Sequence, residues 1–377
     1  MILLELTSCE SREDLQEMTL ERSKDFLAAV AEGTRLLYRW FLTTMNSFHF
    51  MALTRRFSAV FGAVLFAAFE LLAQTPPREI QLQLNAPFQF VAYGDTRFTD
   101  PNDTEASNAP VRRELVRAIA DANPAFISIG GDIVYNGYDP NDWHTWDAET
   151  ALWRQRSIPV YPALGNHDLH GSQKVALANY FQHFPDLKES RYYSVRAANT
   201  LALVLDSSRE EVAGPQGQWL NEKLDNIPAD VEFVFIVLHH PPYSSSSDDK
   251  VYGGGHSARP SEQALAKILE ERQPRTRARF VIFSSHVHNY ERHEHNGVTY
   301  FVTGGGGAHA YPIQRAPGDL FPDTHVNYHY LLVEVNRGKI SVTMNRLELN
   351  GGKASWTKPD STTIMVPSQA SATASSN

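Results

Sequence analysis

Short apolar runs and amphipathic stretches alternate from Phe88 onward. Phe88–Tyr93 (FQFVAY) reads as a strand, and Pro110–Ala122 as a helix with Pro110 near its first position and Val111, Leu115 and Ile119 on one face. The pattern predicts a strand over Phe126–Ile129, a helix over Asp142–Arg154 and a strand over Val160–Leu164. Leu201–Leu205 and Phe233–Leu238 are apolar at nearly every position, which suits central strands of a sheet covered on both faces. Pro260–Glu271 reads as a helix, and Phe280–Phe283, Thr299–Val302, Tyr330–Val335 and Ile340–Met344 close the series as strands. Helices are frequent early and strands dominate late. That order predicts a mixed α/β architecture of the α+β class, with two sheets packed as a β-sandwich and helices outside, rather than one doubly wound sheet.

The start of the chain follows a different pattern. From Met51, Arg55 and Arg56 supply a positive region, Phe57–Phe69 an apolar stretch of 13 residues, and Ala73 a small residue at a cleavage point. This is the layout of a signal peptide over 51–73, and the stretch is short for a membrane span. Residues 1–50 then read as a non-catalytic extension or an upstream misassigned start, with an uncleaved anchor and a small extra helical domain as the alternatives. The reading implies a mature domain over 74–367, secreted or periplasmic, and a polar disordered tail over 368–377.

Composition narrows the chemistry. Of the 377 residues, 42% are hydrophobic and 20% charged, with a formal net charge of -9, so a generic nucleic-acid binder is disfavoured. The single cysteine, Cys9, excludes an intrachain disulfide, and no zinc-finger spacing occurs. The 15 histidines lie mostly after Gly165, near glycine, asparagine and aspartate, as in a metal site built from imidazole and carboxylate.

Polar residues able to bind metal recur where the predicted strands end. Gly94-Asp95 follows the first, Gly130-Gly131-Asp132 the second and Gly165-Asn166-His167-Asp168 the third. His239-His240-Pro241-Pro242 follows Phe233–Leu238, and Ser285-His286-Val287-His288 follows Phe280–Phe283. Loops at strand ends are where α/β proteins carry their sites. Singly, a Gly-Asp pair is a common turn. Spaced as alternate residues of an extended segment, His286 and His288 are expected to share one face. Gly304–Gly307 reads more readily as a tight turn than as a ligand-approaching loop.

Taken in order, these motifs resemble the calcineurin-like metallophosphoesterase superfamily, and within it the purple acid phosphatase branch with its GDxG, GDxxY, GNH(D/E), VxxH and GHxH series. Here the series stands as Gly94-Asp95-Thr96-Arg97, Gly131-Asp132-Ile133-Val134-Tyr135, Gly165-Asn166-His167-Asp168, Val237-Leu238-His239-His240 and Ser285-His286-Val287-His288. The resemblance spans about Phe88 to Leu347 and implies a four-layer fold. It also implies two metal ions, iron with zinc or manganese. Asp132 would bridge them, Asp95, Tyr135 and His288 would complete one, and Asn166, His240 and His286 the other. A shared water, made acidic by the pair, would attack phosphorus. His167 would face the substrate as hydrogen-bond donor or general acid, with Asp168 orienting it.

His239 and His240 are neighbours on an extended segment, so only one is expected to point inward, and the resemblance favours His240. His239 is left packed or substrate-facing. His256 falls where the branch has substrate-facing histidines, and also where a surface loop would carry one. Arg97 stands where the superfamily has a metal-binding histidine and the branch a glycine, and it reaches either the phosphate or a nearby carboxylate. Ser285 replaces a glycine. The implied activity is hydrolysis of a small phosphorylated substrate, a monoester before a diester or nucleic acid, with a catalytically silent homologue as the remaining alternative. No nucleic-acid partner and no membrane span after signal cleavage are expected.

Overall fold

The computed structural model describes residues 77–209, 211–246, 256 and 258–367. The signal segment at 51–73, the extension before it and the tail from 368 lie outside the described residues. Among the described residues no helix is long and apolar enough to cross a membrane.

Two mixed sheets form the centre. One has the order β1 (Glu79–Leu82), β5 (Tyr193–Ala197), β6 (Thr200–Val204), β7 (Phe233–Val237), β8 (Arg279–Ser284), β10 (Val298–Thr303) and β9 (Tyr290–His295). The other runs β13 (Lys353–Thr357), β12 (Lys339–Asn350), β11 (Tyr328–Val335), β2 (Phe88–Tyr93), β3 (Ile127–Ile129) and β4 (Val160–Pro162), with β14 (Ser361–Met365) also paired to β12. β2, β3 and β4 are mutually parallel, as are β6, β7 and β8.

The apolar runs are explained by what covers them. On β7, Phe233, Phe235 and Val237 face the core between the sheets, while Val234, Ile236 and Leu238 belong to a second core. That second core is closed by Trp219, Leu220 and Leu224 of α5 (Gly214–Asp225) and Leu265 and Leu269 of α6 (Pro260–Arg272). Between the sheets, Phe90 stacks on Phe126 at 4.7 Å and meets Phe235 and Phe283 at 5.2 and 6.0 Å. On the far side of the second sheet, α1 (Ala109–Asp121) packs with α2 (Pro140–Glu149) and α3 (Ala151–Gln155), and the Trp153 indole donates to Val116 O at 2.9 Å. The result is a four-layer arrangement of helices, two sheets and helices.

Some boundaries differ from the expectation. The helix expected over Asp142–Arg154 is two helices, opened at Thr150, whose hydroxyl bonds back to Trp146 O at 2.6 Å. Asp139 caps the first of them two residues earlier than expected, accepting from Asn141 N. A helix α4 (Gln173–His183) and α5 were not anticipated, nor were β1, β5, β9, β13 and β14. β9 reads YERHEH and α5 begins GPQG, so neither carries a period that marks its class.

Phe90 is 1% exposed and joins both sheets through aromatic contacts. Phe90→Ala is expected to lower stability by about 3–5 kcal/mol, seen as a lower denaturant midpoint with an unchanged slope.

Candidate metal centre

Every motif sits at the carboxyl end of a parallel strand. Asp95, Asp132 and Asn166 follow β2, β3 and β4 in one sheet, while His239 and the His286–His288 segment follow β7 and β8 in the other. The site therefore lies where the ends of both sheets converge. The backbone turns sharply there. Asp95, Arg97, Asp132 and His286 have φ of 54°, 44°, 52° and 71°, a left-handed conformation uncommon outside glycine and concentrated at functional sites. His286 consequently does not continue β8. The expectation that His286 and His288 share one face is corrected, because the turn sends them to different groups of side chains.

The first group is Asp95, Asp132 and His288, all buried, with candidate ligand atoms within 4.8 Å of one another. His288 Nδ1 donates to His309 O at 2.8 Å, which leaves the lone pair on Nε2, 3.7 Å from Asp95 Oδ1. Among the described residues neither Asp95 oxygen nor His288 Nε2 has a partner of good hydrogen-bond geometry, although the His286 backbone amide approaches the Asp95 carboxylate. Buried acceptors facing each other fit a cation between them. The glycine run, expected as a tight turn, is instead packed behind this group. A side chain at Gly304 would collide with Asp95 Oδ2 and Val287 O, and Ala308 N donates to Asp95 O at 2.8 Å.

The second group is His239, His240 and His286. His239 Nδ1 donates to Gly130 O at 2.9 Å, so its Nε2 presents a lone pair 3.0 Å from Asn166 Oδ1, 3.4 Å from Asp132 Oδ1 and 3.1 Å from His286 Nδ1. Burial holds the His239 imidazole below its ordinary pKa, which favours the neutral form a metal takes. His239 Nε2, Asn166 Oδ1 and Asp132 Oδ1 thus converge as acceptors beside the His286 ring, and this set also fits a cation. The expectation that only one of His239 and His240 points inward is corrected: β7 ends at Val237, so the pair is no longer extended and both enter the group. His239 is the one against Asp132 and Asn166. Its signal was present in the sequence, since alternation places it on the face of Phe235 and Val237, toward the other sheet. His240 Nδ1 pairs with Ser207 Oγ at 2.9 Å.

Asp132 lies between the groups. Burial alone would raise its carboxyl, but His239, Arg97 and His167 hold it well below the usual carboxylate range. Arg97 donates from Nε and Nη2 to Asp132 Oδ2 at 3.3 and 3.2 Å, so of its two anticipated partners it takes the carboxylate. Ser285 fits where a glycine was anticipated because Gly94 and Gly130 make room: a side chain at either would strike its hydroxyl.

His167 N donates to Asp132 Oδ1 at 2.8 Å, and its Nδ1 bonds Tyr135 O at 2.8 Å. Nε2 then faces the centre, 4.0 Å from Asp132 Oδ2. Burial lowers this imidazole to about 4. The expectation that Asp168 orients His167 is corrected. Its carboxylate is buried and spent on the backbone, accepting from Ile133 N, Val134 N and Gly165 N at 2.9, 3.3 and 2.8 Å. Tyr135 stacks its ring on His167 at 5.2 Å. His256 lies over the centre, with ring centroids 4.7 Å from His286 and 5.7 Å from His288.

Two neighbours carried no motif and were missed. Tyr311 packs 5.4 Å from His288 and 5.5 Å from His256, and His170 lies 4.1 Å from His167. A third group, Glu291, His293 and Asp319, is closed by its own partners, Ser244, Ser245 and Arg315.

Residues 88–290 match the model of the calcineurin-like phosphoesterase family, more than half the chain. The chain belongs to that family. It is 25% identical over 186 residues to Fe(3+)-Zn(2+) purple acid phosphatase 12 of Arabidopsis thaliana, covering 45% of this chain and 37% of that one. It is 27% identical over 200 residues to a phosphoenolpyruvate phosphatase of Allium cepa, covering 48% and 39%. The chain spans half or less of the length of the curated relatives it matches. Among solved structures, the purple acid phosphatase PPD1 of yellow lupin aligns with a TM-score of 0.56 at 14% identity, over 74% of this chain and 54% of that one. PhoD aligns with a TM-score of 0.55 at 12% identity, over 75% and 70%. At these identities the structural likeness speaks for the fold.

Asp168→Ala strands three amides, at about 1–3 kcal/mol for each buried group left unsatisfied. The variant is expected to melt clearly below His167→Ala when both are stripped of metal by chelation, a comparison from which chemistry at the centre is absent.

Proposed function

We propose that this chain hydrolyses phosphate monoesters at a two-metal centre. One ion would be held by Asp95, Asp132 and His288, the other by Asp132, Asn166, His239 and His286. The observation that carries this reading is the buried Asp95 carboxylate and His288 Nε2, neither with a partner of good hydrogen-bond geometry, beside the shared Asp132. His239 takes the place first given to His240, because its Nε2 and not a ring nitrogen of His240 meets Asp132 and Asn166. Iron with zinc agrees with the name of the Arabidopsis relative. Export agrees with the basic and apolar segment that begins at Met51.

A pair of ions in this position supplies an acidified water and neutralises phosphoryl oxygens as charge builds. The chain does the rest. Tyr135 O fixes the His167 tautomer, so that in its protonated form the Nε2–H faces the leaving oxygen and passes its proton there. Arg97 neutralises part of the Asp132 charge and lines the approach to it. His256 sits over the second group, where an incoming phosphate would meet it. Tyr135 would join Asp95, Asp132 and His288 on the first ion, and with ferric iron there it would be the source of colour.

Elemental analysis beside phosphate release from a matched aryl monoester and diester tests the reading. Two ions per chain with faster monoester turnover is expected. Faster diester turnover would reassign the substrate, and metal without turnover would leave a silent homologue. In the same assay His239→Ala should lose one ion while His240→Ala keeps both; the reverse would restore the first assignment.

His167→Ala is expected to keep both ions and lose about 10²–10⁴-fold in rate with poor leaving groups, as general acids typically contribute. The loss should shrink as the leaving group improves. An equal loss across the series would reduce His167 to phosphate binding.

A further inference from the structure

The loops after β3 and β4 carry more than the metal-facing residues, and they are bound to each other along their length. His167 Nδ1 bonds Tyr135 O at 2.8 Å, Gly137 N donates to His167 O at 2.9 Å, and Asp168 accepts from Ile133 N and Val134 N. Gly137 O is held in turn by the Trp143 indole at 2.8 Å and Asn179 Nδ2 at 3.1 Å. On this hydrogen-bonded base the rings of Tyr135, His167 and His170 lie in contact. Tyr135 stacks on His167 at 5.2 Å and 30°, and His167 meets His170 at 4.1 Å. Beyond them the Tyr138 ring fills the space where a Cβ of Gly171 would stand, at a backbone φ of +78° that favours glycine. His170 is exposed, and Tyr138 is 47% exposed.

A lone exposed tyrosine says little. Tyr138 differs in having a glycine opposite that admits its ring, and in packing on Gly171, the chain neighbour of His170, whose ring meets that of the residue proposed to protonate the leaving group. Planar side chains held in place before binding recognise planar ligands at low entropic cost. We propose that Tyr138 and His170 form a stacking ledge for an aromatic ring on the alcohol side of the phosphoester, which makes nucleoside monophosphates the preferred substrate class. The inference rests on the phosphomonoesterase reading above and adds the leaving-group subsite to it. The ring does not take part in bond breaking. Water supplies the oxygen that joins phosphorus, the P–O bond to the nucleoside breaks, and the nucleoside oxygen leaves with a proton.

Adenosine 5′-monophosphate and ribose 5-phosphate share the same primary alcohol leaving group and differ in the base. With the full-length, metal-loaded protein, kcat/KM is expected to favour the nucleotide about tenfold, in the lower range of what base–aromatic stacking supplies, and chiefly through KM. Tyr138→Ala and His170→Ala should each reduce that ratio, and Tyr138→Phe should preserve it. Adenosine should inhibit competitively where ribose does not. Equal kcat/KM for the two esters, or a preference that survives both alanine variants, overturns the ledge while leaving the phosphomonoesterase reading intact. Hydrolysis of neither ester by protein carrying its ions overturns both.

Discussion

A carboxylate with no access to water sits at the meeting point of two sheets, and the surrounding structure is organised to tolerate it. Asp132 is 0% exposed. Burying an unpaired carboxylate is among the most expensive things a fold can do. Here the charge is met by the His167 amide and the Arg97 guanidinium, drawn from two separate loops. Those loops are placed by strands whose own cores are ordinary close-packed hydrocarbon. The phenylalanines between the sheets hold the distance between strand ends, and the strand ends hold the distance between ligands. Stability and chemistry meet in that one spacing.

Much of this arrangement was legible in the chain. The apolar run Phe233–Leu238 announced a strand covered on both sides, and both faces are covered. The Gly-Asp and Gly-Asn-His-Asp signals marked strand ends correctly, because a glycine followed by a polar ligand is a local feature. Strand identity failed where the side chains were polar, as in β9, since a strand stabilised by its neighbours need not advertise a period of two. The roles of individual residues were harder. Asp168 looks chemical beside His167, yet its carboxylate turns away to three amides that are close only after folding. His239 was passed over in favour of His240 by counting from Val237, although alternation from Phe235 led to the right face. His170 and Tyr311 reach the site through loop paths with no periodic pattern to follow.

Arg97 shapes the charge balance of this centre from within the chain. A residue at a left-handed φ of 44° is normally small, and the guanidinium it carries folds onto Asp132. Part of the positive charge that a centre of this kind draws from ions is therefore supplied by the chain, through a group that stays protonated. Arg97 also stands as a steric boundary beside Asp132. Whatever approaches Asp132 from that side meets a fixed cation first.

The contact among Gly94, Gly130 and Ser285 has a consequence for how such proteins are recognised. The serine hydroxyl occupies the gap that both glycines leave, so the three positions form a joint between the sheets. None of them needs to touch a substrate. Two of the glycines that make these motifs conspicuous are therefore demanded by packing, and would persist in a chain that had lost every ligand. A motif search keyed to them detects the joint.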